Sequence, residues 1–451
     1  MTGPVVHGEG ESNLSAARRA WTSGTRSAPL LERDASAFLH QSLSTPCLTT
    51  IRHAEGIWIE DHDGRRFMDL HGNSVHHIGY GHPRVIAAIK GQLDALPFSP
   101  RRFTNEPAIR LAERLGELAP GGNAKVLFTT GGSDANEVAL KIARAATGRF
   151  KTVSFWDSFH GAGLGAAAIG GEATFRSHIA GPLLPGTEHV APFACYRCPY
   201  NHAGPHVCGL ACARMVDYVL EREGDVAAVI GEPMRAVPHV PPPGFWRAVR
   251  EACDRHGALL ILDEIPTGLG KTGRMFACEH DDVVPDIVTL GKALGGGVLP
   301  IAACLARPGL DVGGDFAIGH YTHEKNPVTA AAALATLEVI EEEGLVERAA
   351  DLGAHALARL RCFGADQPLV GDVRGRGLML GVEIVKDRAT REENHEAAER
   401  IFYRCLEGGV SFKISQGCVL TLSPPLVISR EDLDRALDVV QQAIEQEGRR
   451  R

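Results

Sequence analysis

No apolar stretch of this 451-residue sequence is long enough to cross a lipid bilayer, so we expect no transmembrane helix. The first twenty residues contain no apolar core, and we therefore expect no secretory signal there. There is no long basic run and the net charge is −8, so nothing indicates binding to nucleic acid or to an anionic membrane surface. The eleven cysteines do not follow the spacing of a small disulfide-bonded domain, which favours a reducing, cytoplasmic location.

The composition is typical of a globular protein, with 44% hydrophobic and 23% charged residues. The length allows two domains, or one large domain with a smaller companion. The 51 glycines are typical of a chain with many tight turns and close backbone approaches to a ligand.

Short apolar strands alternate with helical patterns through the middle of the chain. This alternation predicts an α/β fold with a mainly parallel sheet, right-handed crossovers and helices on both faces. Ligands of such sheets bind beyond the carboxyl ends of the strands. The predicted strands are residues 125–128, 152–155, 226–230, 258–262, 287–290 and 301–305, and the predicted helices include residues 134–146 and 245–256.

The two ends of the chain have different patterns. Residues 33–44 predict a helix, and residues 57–70 predict a hairpin that turns at Asp63-Gly64. After residue 330 the pattern predicts a long helix, a strand at 378–385 and a closing helix from Ser429. We therefore expect a flexible arm at 1–30, a large domain at 96–329, and a smaller α+β domain formed by residues 31–95 and 330–451.

The segment LILDEIPTG (260–268) places Asp263 at the end of an apolar strand. A buried carboxylate there is costly unless a cation meets it. Such an aspartate could simply cap the following turn. It could also keep a ring nitrogen of an aromatic cofactor protonated, so that the ring withdraws electrons.

The segment VTLGKALGGG (288–297) places Lys292 directly after another apolar strand. Most lysines are surface residues, but the neighbours of Lys292 are apolar and small. Partial desolvation lowers the pKa of a lysine and makes the amine a nucleophile and a base. Lys292 is therefore the main candidate for a covalent cofactor or substrate link.

Two further segments follow strands at the same expected edge of the sheet. Gly131, Gly132 and Ser133 lie between a strand and a helix, where backbone N–H groups and the helix dipole form an anion site suited to a phosphate. In SFWDSFHGAGLGA (154–166), Phe159 is either a core residue or a ring that stacks on an aromatic cofactor, with His160 beside it.

These four motifs, in this order, resemble those of the class III aminotransferases, a family of fold type I enzymes that use pyridoxal-5′-phosphate (PLP). The similarity extends from about residue 35 to the C-terminus. It implies a seven-stranded sheet in the large domain, a Schiff base between Lys292 and PLP, and a contact of Asp263 with the pyridine nitrogen. Phe159 would stack on the ring, and Ile265 would pack behind it. The cofactor contacts that the resemblance implies are Gly131, Gly132, Ser133, Phe159, His160, Glu232, Asp263, Ile265, Lys292 and Thr322.

Thr322, in GHYTHEKNP (319–327), matches the threonine that in this family reaches the cofactor phosphate of a partner subunit. The resemblance therefore implies a homodimer with shared active sites. It also implies a small-molecule amine as the substrate.

The sequence departs from the family pattern at three positions. Arg235 and Pro266 each replace a frequent glutamine, and Thr421 stands where many family members have an arginine that binds the carboxylate of 2-oxoglutarate. Threonine cannot replace an arginine–carboxylate fork, whose loss costs about 1.5–3 kcal/mol. An enzyme without an oxo-acid co-substrate is usually a lyase, so the departure at Thr421 favours elimination.

Arg235 is then a candidate clamp for an anionic substrate, with Arg101 and Arg102 as possible assistants; all three could equally form ordinary ion pairs. Several local segments, including DLHGNSVHHIGYGHP (69–83), are similar to a subgroup that contains ammonia-lyases of a hydroxylated aminoethylphosphonate. We therefore expect a PLP-dependent ammonia-lyase. An amine:oxo-acid aminotransferase is the second hypothesis, and a non-catalytic PLP-binding protein the third.

A cysteine-rich segment at 195–212 lies apart from these motifs. Cys195, Cys198, Cys208 and Cys212 form two close pairs that could bind a structural zinc, with His202 and His206 as spare donors. Free thiols or a redox-sensitive disulfide would also account for this pattern.

Overall fold

The computed structural model describes residues 16–23, 25–40, 47–176 and 181–450. The chain forms two compact units, one from residues 1–81 and 349–451 and the other from residues 82–348. The described strands are β1 (Ile51–Glu55), β2 (Trp58–Asp61), β3 (Arg66–Asp69), β4 (Lys125–Thr129), β5 (Lys151–Phe155), β6 (Thr187–Val190), β7 (Val226–Gly231), β8 (Leu259–Asp263), β9 (Ile287–Leu290), β10 (Ala302–Ala306), β11 (Val370–Arg376), β12 (Met379–Asp387), β13 (Glu392–Glu393), β14 (Val410–Ser411), β15 (Lys413–Ser415) and β16 (Val419–Leu422).

The described α-helices are α1 (Ala16–Ser23), α2 (Ala28–Ala37), α3 (Pro83–Ala95), α4 (Glu106–Leu118), α5 (Gly132–Thr147), α6 (Leu164–Ile169), α7 (Ala211–Glu223), α8 (Phe245–His256), α9 (Pro327–Glu342), α10 (Leu345–Ala365), α11 (His395–Glu407) and α12 (Arg430–Gly448). Of the residues described, none belongs to a helix long and apolar enough to span a bilayer.

The larger unit is built on a seven-stranded sheet with the order β4-β10-β9-β8-β7-β5-β6. All neighbouring strands are parallel except β10, which runs antiparallel to both β4 and β9. The predicted mainly parallel sheet is confirmed. Because β7, β8 and β9 point in the same direction, the residues that follow them lie along one edge.

The core of this unit lies between the sheet and α5. Val138 and Ile142 on α5 belong to one buried cluster with Ile230 of β7 and Ile261 of β8. Every residue of β7, β8, β9 and β10 is buried, which explains why these strands are continuous apolar runs in the sequence. This packing holds the strands, and with them their carboxyl ends, in fixed positions.

The smaller unit contains two sheets. One has the order β1-β2-β3-β14, and the other has the order β11-β12-β16-β15, with β13 paired to β12. The predicted hairpin at 57–70 is present as the antiparallel pair β2 and β3. The predicted closing helix is α12, and its N-cap is Ser429, whose Oγ accepts a hydrogen bond from the Asp432 N–H at 2.9 Å.

The boundaries between the units differ from the predicted ones. Helices α3 and α9, which the sequence prediction assigned to the smaller domain, belong to the larger unit. They pack against each other, and Arg84 on α3 donates to Glu342 on α9 with a distance of 2.6 Å between Nη1 and Oε2. The predicted long helix after 330 is interrupted at Gly344, whose φ of +60° separates α9 from α10.

The N-terminal predictions lie partly outside the described residues, which exclude 1–15, 24 and 41–46. Within the predicted arm, residues 16–23 form α1. The helix predicted at 33–44 is α2, which begins at Ala28 and ends at Ala37, because Pro29 in its first turn favours an earlier start.

Candidate active site

Asp263 ends β8, and its carboxylate is almost completely buried. Its Oδ2 accepts two hydrogen bonds, from His160 Nδ1 at 2.8 Å and from Asn136 Nδ2 at 2.9 Å. Its Oδ1 accepts the backbone N–H of Ile265 at 3.1 Å. These bonds fix the position of the carboxylate at the edge of the sheet.

Asn136 connects three elements around this carboxylate. Its Nδ2 also donates to the backbone carbonyl of His160 at 2.8 Å, and its Oδ1 accepts from Thr289 Oγ1 on β9 at 2.8 Å. A buried amide with donors and acceptor all paired is rigid, because any rotation would leave a polar group unpaired. Asn136 therefore fixes Asp263, the segment after β5 and strand β9 relative to one another.

The electrostatic environment keeps Asp263 ionised. Burial by itself would raise the pKa of Asp263, but hydrogen bonds from His160 and Asn136 and the nearby charge of Lys292 hold that pKa below its ordinary value. A buried carboxylate that remains ionised can hold a partner cation in its protonated form. This is the property expected of a group that faces a protonated ring nitrogen.

The glycine-containing turn lies at the N-terminus of α5, as the sequence predicts. Gly131 is the N-cap residue and Gly132 is the first residue of the helix. A Cβ built on Gly132 would lie 2.6 Å from Ile265 Cδ1, so only glycine leaves room for this side chain. Ser133 Oγ accepts the N–H of Ala162 at 3.2 Å, which joins the turn to the segment that follows Phe159.

Lys292 lies at the start of a 3-10 turn after β9, with a φ of +47°. A non-glycine residue in the left-handed region is strained, and such strain concentrates at functional sites. A Cβ on the preceding Gly291 would lie 3.5 Å from Ile265 Cγ2. Ile265 therefore lies between the Gly132 turn and the Lys292 turn, and the structure brings these segments together.

Phe159 lies directly before His160 and is half-buried. Its backbone N–H lies 3.4 Å from Glu232 Oε2, which follows β7. Its ring packs against the ring of Phe175, with centroids 4.5 Å apart. Phe159 and Glu232 thus lie at the same edge of the sheet as Asp263.

Arg235 is buried beside Glu232, and its side chain is 5% exposed. Its Nε donates to Glu232 Oε2 at 3.5 Å, and its backbone N–H donates to the carbonyl of His239 at 3.2 Å. Among the described residues, the two terminal nitrogens of its guanidinium have no hydrogen-bond partner. Arg235 can therefore bind an anion through its terminal N–H groups.

The comparisons with known proteins agree with this arrangement. The sequence model of the class III aminotransferases matches residues 40–444. The chain belongs to this family. It is also 44% identical to an (R)-1-hydroxy-2-aminoethylphosphonate ammonia-lyase from Vibrio splendidus (strain 12B01), over 97% of this chain and 94% of the relative.

Other class III relatives have different activities in their names. A leucine/methionine racemase from Thermococcus litoralis is 38% identical, over 94% of this chain and 97% of the relative. Among solved structures, an amine transaminase from an uncultivated Pseudomonas species in the PLP-bound form has a TM-score of 0.85 and 32% identity, and the match covers 91% of this chain and 98% of that one. The chain is therefore a PLP-dependent enzyme of fold type I. The family alone does not determine which reaction it catalyses.

The described residues fit PLP. The site combines an ionised buried carboxylate, a lysine on a strained turn, a helix N-terminus whose first residue can only be glycine, and an aromatic ring that lies next to His160. Each of these features matches one part of the cofactor: ring nitrogen, aldehyde, phosphate and ring face. The sequence prediction named all four.

Three predicted residues lie on the surface of the larger unit. Thr322 is exposed in the turn before α9, and Arg101 and Arg102 are exposed before α4. Arg101 Nε donates to Glu324 Oε1 at 3.2 Å, and Glu324 is two residues after Thr322. In this chain Arg101 therefore forms an ordinary ion pair, which was one of the two interpretations of that residue.

The zinc prediction is not supported. No group of three or more His, Cys, Asp or Glu side chains in the described part of the chain could hold a metal ion. Cys195, Cys198, Cys208 and Cys212 form no disulfide and line one small cavity. Burial raises the pKa of Cys212 to about 11.

Two residues of the site were missed by sequence reasoning. Asn136 is one turn after Gly132 on α5, so helical spacing places it on the same face as the glycine turn and could have revealed it. Phe175 had no such signal, because nothing in the sequence shows that it meets Phe159.

Proposed function

We propose that this chain is a PLP-dependent ammonia-lyase that converts (R)-1-hydroxy-2-aminoethylphosphonate to phosphonoacetaldehyde and ammonia. The observation that carries this proposal is the similarity to the Vibrio splendidus lyase over nearly the whole of both chains. The reaction removes ammonia without net addition of water, so it needs no second substrate. Arg235 and Thr421 support the same function.

In this proposal the described cluster holds the cofactor. Lys292 binds the aldehyde of PLP, Asp263 keeps the ring nitrogen protonated, and Gly131, Gly132 and Ser133 bind the phosphate. Phe159 stacks on the ring and Ile265 packs behind it. Bound in this way, PLP withdraws electrons from the substrate carbon that carries the amine. His160 and Glu232 act through other groups, since His160 donates to Asp263 and Glu232 accepts from the N–H of Phe159.

The environment of Thr421 supports a lyase. Thr421 is buried in β16, and its Oγ1 lies 2.9 Å from Ser415 Oγ, which accepts its hydrogen bond. A cation that could bind the carboxylate of an oxo acid is therefore absent at this position. A lyase does not need one, because its cofactor returns to the starting state in every turnover.

Arg235 supports a phosphonate substrate. The Nε of Arg235 is paired with Glu232, and a doubly charged tetrahedral anion could accept hydrogen bonds from both terminal nitrogens at once. Glu232 already neutralises part of the charge and orients Nε, which leaves the terminal N–H groups for the ligand. The positive charge of Arg235 therefore suits the negative charge of a phosphonate, and its two terminal N–H groups suit two phosphonate oxygens.

The residues of the chain have defined tasks in the elimination. The Lys292 amine removes a proton from the carbon that carries the substrate amine. The hydroxyl leaves from the neighbouring carbon, which also carries the phosphonate held by Arg235. The departing hydroxide takes up a proton to become water. The remaining enamine tautomerises to an imine, and water hydrolyses the imine to the aldehyde and ammonia.

Two other activities are possible on the same scaffold. An aminotransferase shares the first proton transfer, and many class III relatives have that activity in their names. A racemase also needs no oxo acid, and the Thermococcus litoralis relative is named for that reaction on leucine and methionine. The buried Arg235 favours an anionic side group over the apolar ones of leucine and methionine.

We further propose that the enzyme is a homodimer in the cytoplasm. The exposed position of Thr322 is compatible with a contact to the cofactor phosphate of a second subunit. Arg101 would then support the turn that carries Thr322. Direct substrate contacts of Arg101 and Arg102 stay a prediction.

The test is to incubate the purified enzyme with (R)-1-hydroxy-2-aminoethylphosphonate, with and without pyruvate or 2-oxoglutarate. We expect many turnovers of ammonia and phosphonoacetaldehyde without an oxo acid. Product formation that stops after one turnover per active site, and resumes when oxo acid is added, would show an aminotransferase. Racemisation of leucine or methionine at a higher kcat/KM than the phosphonate reaction would show a racemase.

The cofactor assignment is tested separately by borohydride reduction and peptide mass spectrometry. We expect a pyridoxyl group on Lys292 in the unchanged enzyme and none in Lys292→Ala. Lys125→Ala is the matched control, because Lys125 is exposed at the start of β4. A pyridoxyl group on another lysine would contradict the assignment of Lys292.

A further inference from the structure

Phe159 has one aromatic neighbour among the described residues, Phe175. The two ring centroids lie 4.5 Å apart, and the planes are inclined by 48°. The other face of Phe159 has no aromatic partner in the described part of the chain. Phe175 therefore supports the Phe159 ring from one side, and Phe159 is only half-buried.

The backbone at Phe175 is held in place by the next residue. Arg176 Nη1 donates to the carbonyls of Ala168 at 3.0 Å and Ala167 at 3.3 Å, and also to the carbonyl of Gly170. These carbonyls lie at the C-terminal end of α6, where a cation also interacts favourably with the helix dipole.

A second contact anchors Arg176. Its guanidinium carbon lies 5.3 Å from the ring centroid of Trp156, which follows β5. Trp156 lies three residues before Phe159, so Arg176 connects the segment of Phe175 with the segment of Phe159. The segments that carry the two phenyl rings are therefore both held by contacts of Arg176.

We propose that Phe175 is a positioning residue, which sets the orientation of the Phe159 ring against the cofactor. This inference rests on the proposed stacking role of Phe159. A phenyl ring attached through two rotatable bonds can tilt, and a tilted ring loses contact with a flat ligand. Phe175 restricts this tilt and would thereby keep the Phe159 ring in the orientation that stacks on the face of the cofactor ring.

The experiment measures cofactor binding rather than turnover alone. Apo-enzyme variants are titrated with PLP, and the circular dichroism of the bound cofactor is recorded in the visible range. The variants are Phe175→Leu, Phe175→Tyr, Phe159→Leu and the double variant of both leucine changes. Phe150→Leu is the control, because Phe150 is an exposed ring that contacts Lys151 instead.

We expect Phe175→Leu to raise the Kd of PLP by about two- to tenfold and to weaken the visible dichroism. Phe175→Tyr keeps the ring and should have the same Kd for PLP and the same visible dichroism as the unchanged enzyme. The double variant should bind PLP no more weakly than Phe159→Leu, because Phe175 acts only through Phe159. Phe150→Leu should match the unchanged enzyme.

Several results would overturn the inference. If Phe159→Leu weakens PLP binding but Phe175→Leu does not, the stacking role stands and the positioning role is wrong. If Phe175→Leu lowers only the melting temperature, the residue is merely part of the core and the positioning role is again wrong. If neither leucine variant changes PLP binding, the proposed role of Phe159 fails and the positioning role fails with it.

Discussion

The Nδ1–H of His160 donates to Oδ2 of Asp263 across 2.8 Å, and both side chains are no more than 2% exposed. Its Nε2 is buried and has no hydrogen-bond partner among the described residues. His160 therefore holds the carboxylate through one nitrogen only. The ionised state of Asp263 depends on this bond and on the one from Asn136.

Replacing Asp263 by asparagine should retain the shape of the side chain and remove its charge. We expect turnover to fall by about 10²- to 10³-fold, because the ring nitrogen would lose its counter-charge. The measurement is kcat at saturating PLP, with Asp315→Asn as an exposed control. Unchanged kcat in Asp263→Asn would contradict the proposed role.

The same variant changes the dependence of stability on pH. The folded-state pKa of Asp263 is held below its unfolded value, so the ionised carboxylate stabilises the fold above the unfolded pKa. This contribution is lost as the pH falls through the folded pKa. We expect the melting temperature of Asp263→Asn to decrease less steeply below about pH 4 than that of the unchanged enzyme.

Arg235→Gln introduces the residue that many family members have at this position. We expect the KM for the phosphonate substrate to rise by about 10- to 100-fold, because a charge-assisted contact worth about 1.5–3 kcal/mol is lost. The control is Arg110→Gln, an exposed arginine on α4 of the same unit. An unchanged KM in Arg235→Gln would mean that the phosphonate binds elsewhere.

Gly132→Ala tests the space at the phosphate turn. The new Cβ would lie 2.6 Å from Ile265 Cδ1, so we expect about a tenfold loss of PLP affinity as Ile265 is displaced. Adding Ile265→Val removes the clashing methyl group and should restore part of the affinity. Gly91→Ala, in α3 where a Cβ meets nothing within 4 Å, should leave PLP binding unchanged and stabilise the helix by up to about 1 kcal/mol.

If Ile265→Val worsens the effect of Gly132→Ala, the two residues do not compete for the same space. PLP titration of the single and double variants distinguishes these outcomes.

Glu264 gives the free energy of unfolding a second dependence on pH. Burial raises the pKa of Glu264 to about 7, although Thr267 Oγ1 donates to its Oε2 at 2.5 Å and the Cys278 N–H donates to its Oε1 at 2.9 Å. The folded state therefore holds this proton more tightly than the unfolded state, whose pKa is near 4.5. The free energy of unfolding should fall by about 3 kcal/mol as the pH rises from about 4.5 to about 7.

Glu264→Gln should remove this fall, because glutamine stays neutral. Its Oε1 can accept the Cys278 N–H, and its Nε2 can donate to Thr267 Oγ1, which reverses the direction of that bond. The measurement is urea unfolding between pH 5 and 8, taken at saturating PLP. A variant that loses stability with the same slope as the unchanged enzyme would show that Glu264 is not the titrating group.

The strands of the larger sheet could be predicted where both faces are buried. Residues 287–290 were predicted with the bounds that β9 has. Three of the four residues are apolar, as a strand that is buried on both faces requires. β6 was missed, since its sequence TEHV at the edge of the sheet is mostly polar. The antiparallel direction of β10 could not be predicted, because an apolar run has no signal for strand direction.

The site was predictable in its parts but not in its connections. Asp263, Lys292 and the glycine turn follow strands or precede a helix, which sequence patterns reveal. The partners of Asn136 lie 24, 127 and 153 residues away along the chain, and no local pattern joins them. The sequence left Arg101 open between substrate binding and an ordinary ion pair, and only the structure shows its partner, Glu324.

The reversed strand β10 has a consequence for how Lys292 is held. Since β9 and β10 are antiparallel neighbours, the lysine turn connects adjacent strands directly and needs no crossover helix. The connection runs from residue 291 to residue 301, and Lys292 is its second residue, directly after the end that the backbone ladder of β9 anchors. An insertion or deletion between β9 and Lys292 would therefore move the amine relative to the edge of the sheet, whereas the rest of the loop is further from it.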